Sequence, residues 1–123
     1  MKNKNQYSIE DLLHVMSELR NKCPWDQEQT LDTLKKLTIE ETYELVDAID
    51  KKKYDDIKDE LGDLLLHIIF YSKIASENKK FNFNDVLNSL IEKLIYRHPH
   101  IYGDIKVSSI DEVKKNWERL KVK

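Results

Sequence analysis

The acids between Glu40 and Asp63 have the types and spacing to do chemistry. They include two groups, Glu40-Glu41-Thr42-Tyr43-Glu44 and Glu60-Leu61-Gly62-Asp63, with Lys51-Lys52-Lys53 between them. Residues three apart share one face of a helix, so Glu41 with Glu44, and Glu60 with Asp63, each present a pair of carboxylates to one side. If the two segments are helices that turn back near residue 52, Glu44 falls opposite Glu60 and Glu41 opposite Asp63. Four anions that close repel one another unless a cation sits among them. Hard oxygen donors without His or Cys favour Mg²⁺, with Mn²⁺ as a substitute. The competing reading is a solvated acidic face, which normally intersperses Lys or Arg one turn away. Residues 40–63 hold ten acids against four lysines, three of them at the presumed turn. Spacing alone leaves the two readings level.

The elements that must position these acids are helices. Ile39, Tyr43, Val46 and Ile49 repeat at helical spacing, as do Ile57, Leu61, Leu64 and Ile68. Thr30 is placed to cap a helix that carries Leu31, Leu34 and Leu37 and ends near Asp50. The next helix is expected from about Tyr54 to about Asn78. Between Leu61 and Tyr71 it is apolar almost all round, apart from Gly62, Asp63 and His67. Such a helix must be buried on every side, which predicts a homodimer through it, with Ile69 and Phe70 in the contact. Gly62 lowers helix stability by about 1 kcal/mol relative to Ala, so close approach of a backbone or ligand is its expected reason. His67, one turn after Asp63, is read as a packed residue in preference to a ligand.

Around this hairpin, Ser8 caps a helix bearing Ile9, Leu12, Leu13, Met16 and Leu19, which ends by Lys22 because Pro24 disfavours helix before it. The loop Cys23-Pro24-Trp25-Asp26-Gln27 follows, and Trp25 is read as a plug over the core in preference to a stacking surface for a base. Asn82 or Asn84 opens a helix with Phe83, Leu87, Leu90, Ile91 and Leu94 as its stripe. Lys93 and Arg97 lie one turn apart beside that stripe, either as a phosphate-holding pair or as a solvated edge. His98-Pro99-His100 breaks this helix and has no companion ligands at zinc spacing. Ser109-Ile110-Asp111-Glu112 is a capping box for a short last helix with Val113, Trp117 and Leu120.

At 123 residues the chain is expected to form a single domain, 1–123. Two Gly, two Pro and 36% charged residues suit an all-α fold, here four helices followed by a short C-terminal one. Net charge is −2, with an acidic centre and a basic flank of eight Lys or Arg against four acids in residues 93–123. That balance suits a metal plus a polyanionic small ligand better than nucleic acid. The lone Cys23, the absence of a signal-like N-terminus and an apolar run too short for a bilayer predict a cytoplasmic protein away from membranes. Asp55-Asp56-Ile57-Lys58-Asp59 matches the DDxxD of isoprenoid synthases but lacks the second acidic motif. Di-iron bundles need Glu-x-x-His pairs, which neither acid group has. No P-loop, nucleophile elbow or paired CxxC occurs.

Taken in order, the motifs resemble those of the MazG-type nucleoside triphosphate pyrophosphohydrolases. Glu40-Glu41-x-x-Glu44 with Glu60-x-x-Asp63 is similar to the family's EExxE…ExxD signature. Cys23-Pro24-Trp25-Asp26-Gln27 resembles its opening loop, Arg97-His98-Pro99-His100 its HPH turn, and Asn116-Trp117-Glu118-x-x-Lys121 its closing helix, so residues 8–121 are covered. The resemblance implies an all-α four-helix-bundle core with a short C-terminal helix, and Mg²⁺-dependent hydrolysis of an NTP or dNTP to the monophosphate and pyrophosphate, a house-cleaning activity on the nucleotide pool, by dimers or tetramers. It implies Glu41, Glu44, Glu60 and Asp63 as metal ligands and Glu40 as an accessory acid. Lys93, Arg97, Trp117 and Lys121 would engage phosphates and nucleoside, with Trp25 as a further substrate contact. Some members carry two such domains, of which the one with Cys-Pro-Trp-Asp can be weak. This sequence keeps every acid, which implies activity; the alternative is a weak homolog serving as a dimerisation or partner-binding module.

Overall fold

Ser8 opens the first helix as predicted: its Oγ accepts from the Asp11 backbone N–H at 3.3 Å, and Asp11 Oδ2 accepts from the Ser8 N–H at 2.9 Å. In this computed structural model, which describes residues 6–121, that helix is α1, Ile9–Lys22. Pro24 then occupies the first turn of a short helix α2, Pro24–Glu28, where its missing N–H costs nothing. The predicted loop is therefore one helical turn. Thr30 caps α3, Leu31–Asp50, through a reciprocal pair with Thr33. A three-residue turn leads to α4, Tyr54–Glu77.

Both long helices end in the same way. Lys52 takes the left-handed conformation at φ 54°. Its N–H donates to Ile49 O at 3.0 Å, while that of Lys53 donates to Ala48 O at 3.2 Å. Lys79, at φ 57°, and Lys80 repeat the pattern on Ser76 and Ala75 after α4. These are Schellman motifs with Lys where Gly is usual. The first folds α4 back along α3 and sets the register of the acids.

The described chain divides into two compact units, Met1–Asn82 and Phe83–Lys123. In the first, α4 packs on α3 and α1, and α2 packs on α1. Met16, Leu34, Ala48, Ile69, Phe70, Ile74 and Ala75 are buried there. Arg20 ties the short helix down: its Nη1 donates to the carbonyls of Asp26 at 2.6 Å and Gln29 at 3.1 Å. Its Nε and Nη2 donate to Glu77 at 2.9 and 2.5 Å, with the guanidinium 5.8 Å over the Phe70 ring.

The second unit holds α5, Phe83–Tyr96, a one-turn α6, Pro99–Tyr102, and α7, Ile110–Lys121. Ser109 Oγ accepts from the Glu112 N–H at 3.2 Å, while the Glu112 carboxylate takes the N–H of Ser108 at 2.9 Å. The forward bond of the capping box thus stands where predicted, and its return bond reaches Ser108 in place of Ser109. The fold is all-α, with α1, α3, α4 and α5 as the four longer helices and α7 as the short C-terminal one.

Two expectations about packing change. Ile69 and Phe70, expected in a dimer contact, are buried within the chain at 0% and 2% exposure. The stripe that announced α3, Ile39-Tyr43-Val46-Ile49, is exposed throughout, and Leu61 and Ile68 of α4 are exposed as well. The chain has more apolar helix faces than it buries by itself. A helix with one buried face and a second apolar face shows the same period as a simple amphipathic one.

Candidate active site

The turn at Lys51–Lys53 brings the two acid groups together. Glu41, Glu60 and Asp63 each offer a carboxylate oxygen, and these oxygens lie within 4.8 Å of one another. Glu44 adjoins them, its carboxyl interacting with those of Glu60 and Glu41. The sequence-derived register is therefore the observed one. Glu41 and Glu60 are half-buried, and each carries one oxygen that is buried without a hydrogen-bond partner. Glu40 is exposed and stands outside this group.

The electrostatics follow from crowding. Burial, then the charges of Asp63 and Glu44, raise the Glu41 carboxyl above the usual carboxylate range, partly offset by its contact with Glu60. Contact with the Glu60 carboxyl, and the charge it carries, raise Glu44. Contact with the Glu41 carboxyl, followed by burial, raises Glu60. Each of these groups resists being one more anion among anions. Converging carboxylates, two of them with a buried oxygen left without a partner, are an arrangement a hard divalent cation satisfies, so the donor set fits such an ion. The described residues bring no His or Cys into it.

His67 lies under this patch and is buried. Its Nδ1 is 2.8 Å from Thr38 Oγ1, which also donates to Leu34 O at 3.1 Å and contacts the Tyr71 hydroxyl. Burial holds the imidazole below the usual histidine range, against the charge of Asp63. It is the packed, hydrogen-bonded residue anticipated. Thr38 and Tyr71 were not foreseen, because their meeting depends on which faces of α3 and α4 turn inward. At Gly62 a Cβ would meet nothing within 4 Å among the described residues, so the backbone approach expected there is not made by the described part of this chain.

Of the cationic and aromatic residues, three come together in the second unit. The Arg97 guanidinium sits 5.4 Å over the Trp117 ring, and His98 meets the same indole edge-on at 5.2 Å. Lys93 and Arg97 line one hollow of about 370 Å³ with Ser89, Glu92, Tyr96 and Leu120. His98 Nδ1 lies 2.6 Å from Leu94 O, and His100 Nδ1 is buried without a partner. Lys121 is exposed one turn beyond Trp117. Trp25 is 55% exposed on α2, which overturns its reading as a plug. A residue on a one-turn helix held by its carbonyls to Arg20 has its backbone fixed while its ring faces solvent.

Comparison with known proteins gives this geometry a context. Residues 29–102 match the MazG nucleotide pyrophosphohydrolase domain, a span that contains both acid groups and the HPH turn. The nucleoside triphosphate pyrophosphohydrolase of Escherichia coli K12 is 45% identical over 116 residues, 92% of this chain and 44% of that protein. The nucleoside triphosphate pyrophosphohydrolase/pyrophosphatase MazG of Thermotoga maritima is 46% identical over 115 residues, again 92% and 44%. The chain thus spans less than half the length of these curated relatives. Among solved structures, a MazG-related protein from Thermotoga maritima superposes with a TM-score of 0.78 at 25% identity, covering 94% of this chain and 100% of that one. The chain belongs to the MazG nucleotide pyrophosphohydrolase family.

Proposed function

We propose that this chain hydrolyses nucleoside or deoxynucleoside triphosphates to the monophosphate and pyrophosphate, using Mg²⁺, or Mn²⁺ in its place, held by Glu41, Glu44, Glu60 and Asp63. The observation that carries the reading is the convergence of three ligand oxygens within 4.8 Å with two buried carboxylate oxygens left unpaired. The pyrophosphohydrolase names of the relatives support the same activity. A divalent ion supplies charge compensation for the triphosphate and electrophilic assistance at phosphorus.

The chain's own residues have separable tasks in this reading. The four carboxylates hold the ion and orient the phosphates beside it. Glu40, about 100° round the helix from Glu41, accepts the proton of the attacking water or orients one of the holding groups. Water oxygen bonds to one of the two phosphorus atoms flanking the α–β bridge, the bond from that phosphorus to the bridging oxygen breaks, and the monophosphate and pyrophosphate separate. Lys93, Arg97 and Lys121 offset the charge that gathers on the departing group. Trp117, already stacked under Arg97, offers its ring to the nucleoside, and the exposure of Trp25 supports a second stacking contact.

Residues 1–123 act as one catalytic domain in this account. The exposed apolar stripes of α3 and α4 support assembly as a homodimer or dimer of dimers. No described helix is long and apolar enough to cross a membrane. The net charge of −2 argues against nucleic acid as the partner. Clearing unwanted nucleotides from the pool is the role that fits such an activity. The test is pyrophosphate release across all standard and several damaged NTPs and dNTPs, with and without Mg²⁺. Metal-dependent release from at least one nucleotide is expected. Its absence from every nucleotide would leave a partner-binding module instead.

A further inference from the structure

We propose that Thr38, His67 and Tyr71 form a positioning clamp that holds α3 against α4 at the separation the turn alone does not fix, and thereby sets the spacing of Glu41, Glu60 and Asp63. The proposal deepens the metal-site reading and rests on it. Thr38 stands three residues before Glu41, one turn away on the same face, and His67 stands one turn after Asp63. The contact between them, at 2.8 Å, is therefore the next rung of the hairpin after the one that pairs Glu41 with Asp63. Tyr71, one turn further along α4, reaches the same Thr38 hydroxyl.

One arrangement satisfies every group. Thr38 donates to Leu34 O and accepts from the Nδ1–H of His67 and from the Tyr71 hydroxyl. A hydroxyl has one proton and two lone pairs, so the set is saturated. It joins two helices whose register the turn at Lys51–Lys53 sets but whose separation this far along depends on side-chain contacts. The acids one turn above repel one another and push the same two helices apart. A directional bond between buried groups opposes that push, because breaking it leaves polar atoms unpaired out of water. Sites that must hold ligands to a fraction of an ångström rely on such support from behind.

The experiment is titration of the full chain with Mn²⁺ alone, followed by electron paramagnetic resonance and calorimetry. The variants are Thr38→Val, Thr38→Ser, Tyr71→Phe and Glu41→Gln, each with its melting curve. Thr38→Val keeps shape and removes the hydroxyl. It should weaken Mn²⁺ binding by ~10-fold or more, in the range found for groups that support metal ligands, and still melt in one cooperative transition. Thr38→Ser should restore most of the affinity, which a purely steric role for Thr38 would not allow. Tyr71→Phe should fall between Val and wild type. Wild-type affinity in Thr38→Val, with Glu41→Gln still impaired, overturns the clamp and leaves the metal site standing. If Thr38→Val does not fold, unchanged affinity in Tyr71→Phe overturns it. A wild-type chain that binds no Mn²⁺ overturns both.

Discussion

Glu41 shows how a single carboxylate sets the behaviour of the site. Its folded form takes up a proton more readily than an unfolded carboxylate would, as do Glu44 and Glu60. A raised folded pKa means that these groups favour folding on the acid side and oppose it as pH rises from the ordinary value near ~4.3 through the raised ones. Without metal, Glu41→Gln should therefore melt no lower than wild type at neutral pH, and its advantage should shrink as pH falls toward ~4. Melting curves in EDTA across that range check this; a variant less stable at neutral pH would mean that Glu41 has a stabilising partner. Glu77 has the opposite sign, since the Arg20 fork lowers its pKa. Its contribution is present above the ordinary value and is lost at still lower pH, outside the window of the cluster. At the other end of the chemistry, Arg97→Ala should lower kcat/KM by ~10–10³-fold, the span of ~1.4–4 kcal/mol. Arg97→Lys should recover only part, because the planar face over Trp117 and the bidentate fork are both lost. Full activity in Arg97→Ala removes this residue from substrate contact.

Helices were readable because their caps are written in adjacent residues: Ser8 with Asp11 and Thr30 with Thr33 close the reciprocal bonds that start α1 and α3. The acid register was readable for the same local reason, since a three-residue turn fixes which residues of α3 and α4 oppose each other. Which apolar face turns inward was not readable. Ile39, Tyr43, Val46 and Ile49 give a clean helical period, yet they point outward, while Leu34, Thr38, Glu41 and Ala48 share the less obvious face toward α4. Arg20 was equally hidden, because its carbonyl and carboxylate partners lie on α2 and the far end of α4. The turn itself yields a prediction. Lys52 sits at φ 54°, a conformation that costs an L-residue roughly 1 kcal/mol relative to Gly. Lys52→Gly should raise stability by a few tenths to ~1 kcal/mol, less whatever flexibility Gly adds to the unfolded chain. Chemical denaturation measures it; a clear loss would mean that the Lys52 side chain holds the turn.

For the molecule as a whole, the exposed apolar stripes demand either a partner or an unusually apolar surface. Leu61 at 52% and Ile68 at 45% exposure are available to a second copy, whereas Ile69 at 0% is not. Ile68→Lys should therefore yield a folded monomer. Ile69→Lys should instead destroy the fold, because it forces a charge into a dry core. Sedimentation with circular dichroism separates the two, and a wild-type chain that is a monodisperse monomer at micromolar concentration removes the assembly. Whatever the assembly, the central claim is that four converging acids hold the ion that makes triphosphate hydrolysis possible. Its most direct test is steady-state pyrophosphate release by wild type and Glu41→Gln, in Mg²⁺ and in EDTA. The account predicts turnover that vanishes in EDTA, returns with Mg²⁺, and is at least ~10²-fold lower in a fully folded Glu41→Gln. Equal rates with and without metal, or wild-type turnover by Glu41→Gln, would contradict it.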